Sequence, residues 1–152
     1  MAERITNKKH ALETTDLKDI LSSINITGLG NGSGENPAVI RLVDHIIALA
    51  IQKKASDIHI EPEEKFLNVR YRIDAMLYQQ FTLPSELTPA LSGCLKAMGG
   101  LDVRQQRLPQ DSHIVITIKG KRVDLGISTC PTINGENIVL RIPDKDQHIL
   151  RL

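Results

Sequence analysis

This sequence predicts an α+β domain, an antiparallel sheet with helices packed on it. Three observations lead there. Apolar residues recur with a period of 3.6 between Val39 and Ala50. The period switches to 2 from Ile58 onward. The elements then read in the order α, β, β, β, α, β, β, β, which favours strand-to-strand neighbours over helix-linked parallel strands. With 152 residues the chain is long enough for one domain with a core plus a tail or linker. Aromatic residues make up only 3% and Trp is absent, so the core must be built from Ile, Leu, Val and Ala.

Residues 1–36 read as a segment apart. Leu17, Ile20, Leu21 and Ile24 form a short helical stripe with Thr15 as its N-cap. A helix so short is marginal alone, and a linker helix is the simpler reading, a docking peptide the alternative. The Gly-rich stretch from Gly28 to Glu35 has neither a strand before it nor a Lys-Ser or Lys-Thr after it. It reads as a linker and not as a phosphate loop.

The main domain spans 37–146. Asn36 is the predicted N-cap of its first helix and Pro37 suits the first helical position. The stripe Val39, Leu42, Val43, Ile46, Ile47 and Ala50 gives that helix one buried face, and it should end near Lys53 or Lys54. Ile58 and Ile60 alternate with His59 and Glu61 in a first strand that Pro62 ends. Leu67, Val69, Tyr71 and Ile73 alternate in a second. Met76, Tyr78 and Phe81 mark a third, after a turn at Asp74-Ala75. A second helix is expected from Ser85 to Met98, stopped by Gly99-Gly100. Leu101 to Ser112 reads as a structured loop. Strands follow at Ile114–Ile118, Arg122–Ser128 and Ile138–Ile142, with turns at Gly120-Lys121 and Asn134-Gly135. Residues 147–152 form a tail.

Several function classes are disfavoured. The apolar run near Ile46–Ile51 falls far short of the roughly 20 residues of a membrane span. The N-terminal MAERITNKKH has no apolar stretch behind it and is not a secretory signal, and neither end carries a lipidation motif. A net charge of +1 gives no general attraction to nucleic acid or anionic membrane. Cys94 and Cys130 form no metal-ligand pattern and read as reduced, buried thiols of a cytosolic protein. No metal and no cofactor is expected. His59 and Glu61 give the H-x-E of zinc deaminases without its P-C-x-x-C partner, so a solvated sheet face explains them better. Asp57, Glu61, Glu63 and Glu64 lie near Lys53, Lys54 and Lys65, a mixed charged surface more than an acid–base pair. Lys119, Lys121 and Arg122 flank one hairpin without aromatics, too little for nucleic-acid binding. Ser128 and Thr129 have no base nearby. The residues alone therefore reach a cytosolic α+β binding or assembly module.

Four segments carry a resemblance. They are VIRLVDHIIALAIQKKASDIHIEPEE (39–64), with ASDIHIEP from Ala55 to Pro62 as its core, VRYRIDA (69–75), LKAMGGLDVRQQRLPQDS (95–112) and VDLGISTCPTINGENIVLRIPDK (123–145). In this order they resemble the second N-terminal domain of the ATPases of type II secretion and type IV pilus assembly. The resemblance covers 37–146. It implies a PAS-like, two-layer α+β unit on the membrane-facing side of a hexamer, joined by a linker to a RecA-like domain that hydrolyses ATP. The motifs of that catalytic domain are not in this sequence, nor is the family's tetracysteine zinc motif. ATP is thus implied only for a complete family ATPase. The family's first nucleotide-reaching arginine is replaced by Gly126, whereas Arg141 matches the second. Ala75 replaces a glycine, and Ser112 and His113 replace Gly-Arg. The motif positions Ser56, Asp57, His59, Glu61, Pro62, Arg70, Arg72, Asp74, Arg107, Pro109, Gln110 and Asp111 read as structural. The implied role is a non-catalytic subunit-packing and regulatory module. Its partners would be ATPase subunits, itself or inner-membrane platform components, in the cytoplasm and at the inner membrane only through partners. The alternatives are the N-terminal part of a complete hexameric ATPase and, more weakly, a small-molecule-sensing PAS-like module.

Overall fold

The computed structural model describes residues 18–22 and 36–143. Helix α1 (Pro37–Gln52) opens on Asn36, whose Oδ1 accepts from the N–H groups of Ala38 at 2.9 Å and Val39 at 3.4 Å. This satisfies donors that a helix start leaves orphaned. Three strands follow: β1 (Asp57–Pro62), β2 (Phe66–Ile73) and β3 (Met76–Pro84). A single 3-10 turn, Ser85–Leu87, leads into α2 (Thr88–Met98), and then come β4 (Gln110–Ile118), β5 (Lys121–Thr132) and β6 (Gly135–Arg141). All six strands form one sheet in the order β3-β2-β1-β6-β5-β4, antiparallel throughout. The predicted α+β class is the observed one.

The helices cover one face of the sheet. Leu42, Val43, Ile46 and Ile47 of α1 and Leu91, Cys94 and Leu95 of α2 share a single buried cluster with the inward residues of every strand. Tyr71, wholly buried, donates its hydroxyl hydrogen to the Ile46 carbonyl oxygen at 2.5 Å and ties β2 to α1. Residues 18–22 are helical, and Ile20, only 8% exposed, belongs to the same cluster. Leu17, Ile24, the proposed cap Thr15, the 28–35 linker and the 147–152 tail lie outside the described residues.

Several local expectations are corrected. Met76 and Tyr78 are exposed, whereas Phe81 and Leu83 are buried. The register shifts between Val69 and Arg70, so β3 carries one extra residue, Gln80, and Met76 and Tyr78, opposite Ile73 and Tyr71, stay on the same sheet face as Phe81 and Leu83, opposite Val69 and Leu67. The second helix starts at Thr88, after the Ser85–Leu87 turn, with Pro89 in its first turn. Strand β4 begins at Gln110, not Ile114, because Gln110 and Asp111 already pair with Thr129 and Ser128. The β4–β5 turn residues are Lys119 and Gly120, with φ of 51° and 77°, one position earlier than expected. Cys130 is exposed, since β5 runs on to Thr132 and places it on the same side as Ser128. Cys94 is buried, and burial, reinforced by Asp44, pushes its thiol up to about 11.

Candidate functional site

Alternation in β1 turns Ile58 and Ile60 into the core and leaves Asp57, His59 and Glu61 on the sheet face away from the helices. The strand register then assembles a charged surface from distant sequence. Arg72, Asp57, Arg141, Gly126 and His113 stand in one row across five strands. Arg70, His59, Val139, Ser128 and Asp111 form the next row.

Asp57 is the anchor of the first row. It is buried, and its Oδ1 accepts from Arg141 Nε at 3.2 Å. Its Oδ2 accepts from Ser56 Oγ at 2.8 Å and lies 3.6 Å from Arg72 Nε. One carboxylate thus faces two guanidinium groups. In the second row Arg70 meets Glu61 through two bonds, Nε to Oε1 at 2.6 Å and Nη2 to Oε2 at 2.9 Å. This forked geometry is the strong form of an ion pair, and it holds the Arg70 proton more tightly than usual. Within this mixed charged surface Asp57 and Glu61 pair with arginines of β2 and β6. His59 sits between Arg70 and Val139, and burial lowers its pKa against the opposing pull of Glu61 and Asp57.

Arg141 differs from Arg70 and Arg72. Its side chain is 78% exposed, and beyond Nε its guanidinium bonds to no described residue. Beside it lies an open hollow of about 520 Å³ lined by Asp111, Ser112, His113, Gly126, Ser128 and Val139 among others. Gly126 makes the floor of that hollow. A Cβ there would meet Arg141 Cβ at 3.7 Å, an ordinary contact, and its φ is not in the left-handed region. Ser128 Oγ donates to Asp111 Oδ1 at 2.5 Å. The arrangement can present a fixed cation fork to an anionic group. It holds no nucleophile–base pair, and no three His, Cys, Asp or Glu side chains among the described residues converge as metal ligands.

The other motif residues lie elsewhere. Pro62 closes β1 against the β5–β6 turn, 3.5 Å from where a Gly135 side chain would begin. Asp74 and Ala75 form the β2–β3 turn with φ of 52° and 67°. Gln110 knits the preceding loop by accepting from Asp102 N–H and donating to the Asp102 and Gln105 carbonyls. Arg107 and Pro109 are exposed on that loop.

Sequence reasoning missed one buried pair. Lys96 of α2 and Glu136 of β6 are 1% and 4% exposed, with Nζ 2.9 Å from Oε2 and 3.2 Å from Oε1. Lys96 also donates to the Gln105 carbonyl. The signal was present, since Glu136 shares its parity with Ile138 and Leu140, and an inward carboxylate needs a cation. The pair floors a cavity of about 350 Å³ rimmed by Glu63, Ser85, Thr88 and Ser92.

A family model described as Type II/IV secretion system protein matches residues 33–152. The Type II secretion system protein E of Xanthomonas campestris pv. campestris is 43% identical over 135 residues, covering 89% of this chain and 24% of that protein. The Type IV pilus assembly ATPase PilB of Myxococcus xanthus is 43% identical over 122 residues, covering 80% and 21%. The chain spans about a quarter of the length of the relatives it matches. Among solved structures, the Legionella pneumophila ATPase DotB aligns with a TM-score of 0.49 at 19% identity, over 67% of this chain and 28% of that one.

Proposed function

The chain belongs to the type II/IV secretion system protein family and corresponds to N-terminal-domain sequence of its ATPases, and we propose that it is a non-catalytic subunit-packing and regulatory module that works through protein–protein assembly. The observation that carries this reading is the outer sheet face. Its charged groups are matched to one another, and Arg141, after pairing with Asp57 through Nε, keeps its two Nη groups open beside Gly126 for a neighbour. A contact of this kind would let the module report on a nucleotide held by a catalytic neighbour, because a guanidinium reads phosphate oxygens in pairs. Glycine at position 126 halves that capacity relative to the family pattern. The module works in the cytoplasm and reaches the inner membrane only through partners. No described helix is long and apolar enough to cross a membrane.

The test is binding of the purified chain to the catalytic portion of a relative such as the Myxococcus ATPase, by pull-down and calorimetry. Binding that weakens with Arg141→Glu is the expected result. Absence of binding at high micromolar concentration would overturn the reading. The chain alone should release no phosphate from ATP above a buffer blank, for want of a phosphate loop and metal-holding carboxylates.

A second reading makes the same domain the N-terminal part of a complete hexameric ATPase. The share of the relatives that the chain spans favours it. Hydrolysis restored only by covalent fusion to a catalytic domain, and not by mixing the two, would select this reading.

A further inference from the structure

The two edges of the sheet are built differently. Strand β3 carries a bulge and ends in Pro84, both of which discourage another strand from adding. Strand β4, at the opposite edge, has nine residues with no proline, no register shift and no Asp, Glu, Lys or Arg from Ser112 to Ile118. Val115, at its middle, is 54% exposed.

The turn fixes which backbone groups of β4 are used. Ile118 stands opposite Lys121 across the two-residue loop Lys119-Gly120, both at positive φ. Such a loop makes its flanking residues the hydrogen-bonded pair, and the pattern alternates from there. Even-numbered residues of β4 therefore turn their N–H and C=O groups toward β5. Gln110 agrees, its N–H donating to Thr129 Oγ1 at 3.1 Å. The N–H and C=O groups of His113, Val115 and Thr117 point away from the sheet, at an edge that no other described strand pairs with.

We propose that β4 is an association edge which pairs antiparallel with β4 of a second copy of this chain, about a twofold axis at Val115, to give one continuous sheet across both copies. The strand is complementary to itself in that register. Val115 exchanges both main-chain bonds with its counterpart, and His113 falls opposite Thr117. Ile114 falls opposite Ile116, so the apolar face continues unbroken across the seam. Asp111 falls level with Lys119, the turn residue just beyond Ile118, so opposite charges come near each other at both ends by symmetry. Moving the axis to Ile114 would set Asp111 against Thr117 and lose both charge pairs. An unrelated extended peptide offers no such pairing. The inference stands on the edge itself and does not rest on the proposed partner ATPase.

Light scattering coupled to size exclusion, over a range of chain concentrations, tests it. The expected result is a concentration-dependent dimer. Val115→Lys should abolish the dimer, with thermal melting to show that the variant is folded. Val115→Pro, which removes only an outward N–H, should do the same. Asp111→Lys should raise the dissociation constant by about tenfold or more, and adding Lys119→Asp should restore it. In a Cys130→Ser background, Val115→Cys should give a disulfide-linked dimer, because a hydrogen-bonded antiparallel pair has its Cα atoms about 5.5 Å apart, within disulfide reach. A chain that stays monomeric at all concentrations, or a dimer that persists in Val115→Lys, overturns the proposal.

Discussion

Replacing Lys96 by Met should be the most damaging single substitution among the polar residues. The side chains are of similar length, so packing against α2 is retained while the charge is removed. Glu136 then keeps a carboxylate that is 4% exposed and loses bonds of 2.9 and 3.2 Å, and the Gln105 carbonyl loses its donor as well. Breaking a buried pair by removing one partner costs roughly 3–5 kcal/mol, because the remaining charge has neither water nor counter-ion. Against a total stability of roughly 5–15 kcal/mol this is a large fraction. For a domain of this size it lowers the melting temperature by roughly 10–20 °C. The double variant Lys96→Met with Glu136→Leu should recover most of the loss, since apolar replacement of a whole buried pair is often neutral or better. Urea unfolding followed by far-UV circular dichroism measures all three chains. A single variant that loses less than about 1 kcal/mol would refute the reasoning, as would a double variant no better than the single one.

Three further outcomes are expected. Gly126→Arg should leave the melting temperature of the isolated chain nearly unchanged, given the ordinary 3.7 Å contact and unstrained backbone; fused to a family catalytic domain, it should improve nucleotide affinity by about tenfold or more, from a charge-assisted bond of roughly 1.5–3 kcal/mol, and equal turnover by the two fusions would show that the position does not reach nucleotide. Ala75→Gly should raise the urea midpoint by up to about 1 kcal/mol equivalent, because Ala75 holds a φ of 67° in a two-residue hairpin turn; a lower midpoint would contradict this. His59 has its folded-state pKa depressed by burial, so its contribution is present above the unfolded value of 6.5 and is lost as pH falls through the folded value; His59→Gln should therefore lose less stability than the wild type between pH 7 and pH 5, and parallel losses would rule the histidine out.

What could be read from the sequence follows the range of the interactions involved. The Asn36-Pro37 start of α1 was legible because a cap acts over three residues. The outward position of Asp57, His59 and Glu61 was legible because alternation is local. Their partners were not. Arg141 is 84 residues from Asp57, and only the β1–β6 register brings them together. Nor does anything in the composition of β3 announce the extra residue, Gln80, that puts Tyr78 and Phe81 on one face although they are three positions apart. Cys130 misled for a subtler reason. Its burial was read from the general habit of free cysteines, whereas continuing the β5 alternation two residues past Ser128 places it on the solvent side.

The pairing of β1 with β6 at the middle of the sheet also bears on how the chain reaches its fold. The strands β1, β2 and β3 pair with near neighbours in sequence and can form a meander early. The inner edge of β1 has to wait until β6, at Gly135–Arg141, has been synthesised. Until then Ile58 and Ile60 lie on a strand with one open side, the condition under which nascent sheets stick to one another. Closure of so distant a pair also pays its loop entropy before any contact rewards it, which slows the final step. Substitutions along β6 should therefore delay completion of folding, while those in the β2–β3 hairpin act on the earlier meander.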